Sequence, residues 1–212
     1  MKSISKDNFE NDNFRFSTAK YITIEGIKIW TQRLSYVGEL GYELYVKSED
    51  AKKIYELLVN KGKDFNLSNC GMHAMDIMRM ESGFLHWGHD ISPEENQYQA
   101  GLSFTISSKK EDEFIGKKAL EKIKKEKIKS RFAMFTLKDS KPGEPLLLHD
   151  EPIYLEDKII GRSTSGNYSF NFRKNLAFGY INNDISNDEL HKKDLFIEVE
   201  KKKYPIEVIN KP

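Results

Sequence analysis

The stretch SYVGELGYELYV, residues 35–46, sets one acid, Glu43, among alternating apolar residues. With a period of two, Tyr42, Leu44 and Val46 share one face of a strand, and Gly41, Glu43 and Tyr45 share the other. A carboxylate there is solvated, paired or bound to a ligand. Gly38 and Gly41 allow the preceding loop to turn tightly or to bring backbone close to a ligand. A glutamate beyond such a loop can accept two N–H donors from a flat heterocycle, such as a pterin or guanine edge. The plain alternative is an edge strand with Glu43 in water.

Other residues with chemical potential have weaker patterns. In MHAMDIMRMESG, residues 72–83, Asp76 and Arg79 lie three apart and can pair on a helix. Arg79 can also orient a carboxylate. Met72, Met75, Met78 and Met80 read as soft core packing. In HWGHD, His86, His89 and Asp90 are metal-ligand types, but Gly88 breaks fixed helical spacing and no third imidazole is near in sequence. GRSTSGNYSF, residues 161–170, brackets hydroxyls with glycines but lacks the GK[ST] of a phosphate loop, so it reads as a β-turn. Residues 117–131 form a basic run without aromatic stacking partners, which predicts a solvated helix and not a nucleic-acid surface. No metal site and no catalytic nucleophile is assigned; Cys70 lacks an obvious base.

The elements that must carry these residues can be traced by periodicity. Residues 21–46 read as strand, Glu-Gly turn, long strand, loop and strand. Ala51, Ile54, Tyr55, Leu58 and Val59 fall at helical spacing before Gly62, and a second helix ends near Gly83. Residues 1–20 are polar with spaced aromatics, Phe9, Phe14 and Phe16, and read as an arm that packs on something. From Phe132 onward, short strands at turn-punctuated intervals predict a barrel or sandwich. The expected fold class is therefore α+β: an antiparallel sheet with helices over residues 1–127, then an all-β barrel over 128–212.

Composition narrows the function. The 212 residues suit one large domain or two small ones. Lys+Arg (34) and Asp+Glu (33) nearly cancel, so no global field draws nucleic acid or a membrane surface. A single cysteine excludes an internal disulfide and fits a reducing compartment, taken here as the cytoplasm. No apolar run of ~18 residues predicts a membrane span, and the start lacks the apolar core of a secretory signal.

Three segments taken together, RLSYVGELGYELYV, MRMESGFLHWGHDI and EPIYLEDKIIGRSTSGNYSFNFRKNLAFGYI, resemble in content and order the folate-dependent aminomethyltransferases. That family includes the glycine-cleavage T-protein and the C-terminal half of dimethylglycine and sarcosine dehydrogenases. The resemblance runs from about Phe14 to Pro212. It implies that Glu43 matches the glutamate holding the pterin ring of tetrahydrofolate and that Tyr36 lines that pocket. Arg79 matches a different family arginine, in the LRLE segment, and is carried over with Glu43 and Tyr36 as a cofactor-binding residue. The implied cofactor is tetrahydrofolate, receiving a methylene unit, with the protein supplying orientation and electrostatics.

Two departures qualify this picture. Family members are near twice this length, and the aspartate central to transfer lies in an N-terminal half with no counterpart here. Met75 stands where T-proteins carry an arginine. The expectation is a partial or split transferase completed by a second polypeptide or by self-association. The alternative is a non-catalytic folate-binding, regulatory or protein-interaction module of the same fold. A tRNA-modifying relative is disfavoured because its cysteine loop is absent, and a decayed gene product stays open.

Overall fold

The computed structural model describes residues 1–107 and 113–209. The chain forms two compact units, Met1–Met75 and Asp76–Pro212.

The first unit is built on a three-stranded antiparallel sheet in the order β1 (Ala19–Ile24), β2 (Ile27–Gln32), β3 (Glu43–Tyr45). Glu25 and Gly26 both take positive φ, the backbone of the two-residue turn that suits a twisted hairpin. Alternation sends Ile22, Ile24 and Ile29 inward, where Ile54 of α1 (Ser48–Gly62) meets them. Tyr42, Leu44 and Val46 pack against the same core. The other face of the sheet carries Tyr21, Trp30, Glu43 and Tyr45, all exposed.

The N-terminal segment packs on its own unit: Phe9 and Phe14 are buried inside that unit's core. Only Phe16 of the three aromatics is exposed. Ser5 bridges Ile24, and the Asp7 carboxylate accepts the Thr23 N–H at 2.7 Å and the Ser5 hydroxyl at 2.8 Å. The segment thereby covers the free edge of β1. The Thr23 hydrogen bond, then that of Ser5, holds the Asp7 carboxyl below its ordinary value of 3.8. A depressed folded value gives stability that is complete above the ordinary one and drains away as pH falls through the folded one. Acid titration below about pH 4 should therefore cost wild type stability that Asp7→Asn, followed by circular dichroism, does not lose.

The boundary between the units falls inside α2 (Met72–Glu81). The methionines of this helix do not all enter a core: Met80 is fully buried and Met72 is 70 % exposed. Ile77 and Met80 pack with Met134, Leu176 and Phe178. After α3 (Lys117–Lys125), which buries none of its residues, β4 (Ser130–Leu137) opens a closed antiparallel barrel. The remaining strands are β5 (Pro152–Leu155), β6 (Lys158–Ser169), β7 (Lys174–Asn182), β8 (Leu195–Val199) and β9 (Lys202–Ile209), in the order β4-β7-β6-β5-β8-β9. Phe135, Leu137, Leu147, Ile153, Ala177 and Ile197 lie in its interior. The antiparallel sheet with helices and the six-stranded barrel are the architecture expected from the sequence.

Two local readings need correction. Residues 161–170 are not a β-turn: nearly all of them lie in β6, bulged between Ser163 and Ser165. Gly161 is there because a Cβ would come within 1.9 Å of the Tyr180 carbonyl oxygen on β7. A short helix, α4 (Asn187–Lys192), was not anticipated. Its signal was present: Ser186 and Glu189 form a reciprocal capping box.

Candidate functional site

Glu43 opens β3, opposite Gln32 of β2. The loop before it is closed by glycine: Gly38 has φ of 80°, and a Cβ on Gly41 would sit 2.3 Å from the Leu34 carbonyl oxygen. Any side chain at Gly41 would push β3 away from the end of β2. The buried face of β3 is pinned by aromatic contacts, with the Tyr42 ring 5.6 Å from both Phe9 and Phe14. Glu43, on the opposite face, is exposed. Its Oε2 accepts the Tyr45 hydroxyl at 2.7 Å. That hydrogen bond, then desolvation and the carboxylate charge, raises the Tyr45 phenol above 10. Of the sequence alternatives for Glu43, the structure shows solvent exposure with one local donor. Oε1 accepts no hydrogen bond from the described residues, so the group can still take N–H donors. Tyr36 is half-buried in the same loop.

Arg79 belongs to the second unit. The expected pairing with Asp76 is present, with Nε donating at 2.8 Å and Nη2 2.7 Å away. It is not a helix-surface pair, however, because Arg79 is 1 % exposed. Nη1 donates to the Phe84 carbonyl at 3.0 Å and to Asp90, and Nη2 donates to Ser165 Oγ at 2.7 Å. The guanidinium also lies over the Phe178 ring. Its donors are thus used within the unit, and a ligand contact would cost this network one of them.

Asp90 is the counter-charge that sequence reasoning missed. It is buried and accepts from Arg79, the His86 N–H (2.8 Å), Thr164 (2.5 Å) and Ser165 (2.8 Å). Its own carbonyl takes the Tyr180 hydroxyl at 2.8 Å. Burial, then the charges of Glu95 and Asp90, pushes the Tyr180 phenol well above its usual range. Glu81 extends the clamp by accepting from Ser169 and Asn171, both at 2.5 Å. The His86 and His89 rings stand 4.6 Å apart. Among the described residues no three His, Cys, Asp or Glu side chains are grouped to hold a metal ion. No described helix is long and apolar enough to cross a membrane.

Comparison with known proteins agrees with the architecture. The family model described as the GCVT N-terminal domain matches residues 1–110, and that of the glycine cleavage T-protein C-terminal barrel domain matches residues 131–212. Mitochondrial dimethylglycine dehydrogenase of Rattus norvegicus is 33% identical over 213 residues, covering 100% of this chain and 24% of that protein. An aminomethyltransferase of Halothermothrix orenii is 33% identical over 185 residues, 87% of this chain and 50% of that protein. The crystal structure of aminomethyltransferase T of the glycine cleavage system from Bartonella henselae superposes with a TM-score of 0.78 at 22% identity, over 95% of this chain and 53% of that one. The chain therefore spans a quarter to a half of the length of these relatives. With both the sheet-bearing segment and the barrel matched in order, the chain belongs to the glycine-cleavage T-protein family of aminomethyltransferases.

Proposed function

We propose that this chain supplies the Glu43 side of a tetrahydrofolate site in an assembly that transfers a methylene unit to folate. The observation that carries the reading is the exposed carboxylate beyond the glycine-closed loop, with Oε1 open to donors. A carboxylate in that position accepts the paired N–H edge of a reduced pterin, a charge-assisted and directional contact. Tyr36, in the same loop, contributes to the wall of the pocket. Arg79 holds its helix and the following loop to the barrel within the second unit and is given no contact with the ligand. Tetrahydrofolate, when bound, carries the one-carbon unit; the residues here bind and orient it.

The rest of the family fold lies outside these 212 residues, in a further stretch of the polypeptide or in a second one, and no residue of this chain is assigned a catalytic role. The single exposed thiol, Cys70, suits a reducing compartment such as the cytoplasm. Calorimetric titration with tetrahydrofolate tests the reading. Glu43→Gln keeps the size of the side chain but replaces an acceptor oxygen with a donor, and should weaken binding by about tenfold or more. Equal affinity for the two proteins would remove Glu43 from the site.

A further inference from the structure

The open face of the first unit's sheet carries a cross-strand row in which Tyr21 stands opposite Trp30 and Trp30 opposite Tyr45. Side chains directly opposite on one face lie within contact range. The Tyr21 and Trp30 rings are 4.9 Å apart, and the Lys28 ammonium sits 4.4 Å from the Tyr21 ring. The row ends at Tyr45, two residues along the same strand and face from Glu43. Its hydroxyl is the donor that Glu43 accepts.

We infer that Tyr45 is a positioning residue for Glu43, its hydroxyl fixing Oε2 so that Oε1 and the remaining lone pair of Oε2 are left to a ligand's paired N–H donors. This rests on the tetrahydrofolate reading above. An exposed glutamate samples many rotamers, and ordering it on binding costs affinity. Tyrosine has only two side-chain torsions, and Tyr45 stands opposite Trp30 in the ladder, so its hydroxyl costs less ordering than a free glutamate would. A carboxylate offers about four acceptor sites, so one hydrogen bond to Tyr45 does not preclude bidentate recognition.

Tyr45→Phe removes only the hydroxyl. Calorimetry with tetrahydrofolate should show binding weakened about threefold to tenfold, with the thermal midpoint within about 2 °C of wild type. In a Glu43→Gln background the same substitution should change affinity no further. A second readout needs no ligand. The alkaline absorbance titration of wild type minus that of Tyr45→Phe isolates this one phenol among ten tyrosines. It should ionise above 10, and Glu43→Gln should bring it down. Wild-type affinity in Tyr45→Phe, with Glu43→Gln still weakened, overturns the positioning role and leaves the folate reading standing. Absence of binding by wild type, or full affinity in Glu43→Gln, overturns both. A Tyr45 titration indifferent to Glu43→Gln overturns the positioning role whatever the affinities.

Discussion

Arg79→Ala lowers the stability of the second unit by about 3–5 kcal/mol, because it leaves the buried Asp90 charge without its cation. Asp90 keeps Thr164, Ser165 and the His86 N–H, which hold its oxygens but do not neutralise it. Asp90→Asn reverses the fault: Arg79 stays buried with only the half-buried Asp76 as counter-charge. The double replacement Arg79→Met with Asp90→Leu should cost less than the two single losses added together, since no buried charge is stranded. The chain has two tryptophans, Trp30 in the first unit and Trp87 within HWGHD. In a Trp30→Phe background, Trp87 fluorescence during urea unfolding reports on the second unit. A loss below about 1 kcal/mol for Arg79→Ala would show that the network is a surface feature in solution.

What could be read in advance, and what could not, follows from the reach of each interaction. Glu43 was legible because its evidence is local: period-two alternation settles which face it takes, and Gly38 and Gly41 mark the loop. The asymmetry of β3 was therefore foreseeable, with Tyr42, Leu44 and Val46 inward and Glu43 and Tyr45 outward. The Asp76 partner of Arg79 was legible for the same reason, being one helical turn away. The Ser165 partner is 86 residues distant and depends on how β6 lies against α2, which no spacing rule encodes. Without it Arg79 looked free for a ligand. The serines and glycines of β6 imitate a turn by composition. Their meaning comes from the neighbouring strand, since Gly161 faces the Tyr180 carbonyl oxygen of β7. The capping box of α4, by contrast, is local: Ser186 and Glu189 stand three residues apart, a spacing that marks a helix start.

The N-terminal segment is the other place where polar composition concealed packing, and Phe14→Ala is expected to destabilise the first unit by about 3–5 kcal/mol. Phe14 is 1 % exposed, its ring 6.2 Å from Phe9 and 5.6 Å from Tyr42, with the Lys20 ammonium 4.5 Å from its centre. Its carbonyl accepts from Arg33, which ties the segment to the far end of β2. Removing the ring opens a cavity beneath Tyr42, the residue next to Glu43, so the functional face should loosen along with the core. Trp30 fluorescence in a Trp87→Phe background measures the stability loss, and tetrahydrofolate affinity should fall in the same variant. Phe16→Ala is the control: at 61 % exposure it should shift stability by less than about 0.5 kcal/mol. If Phe14→Ala behaved like that control, the first sixteen residues would be an appendage in solution, and the support they give β3 and Glu43 would have to come from elsewhere.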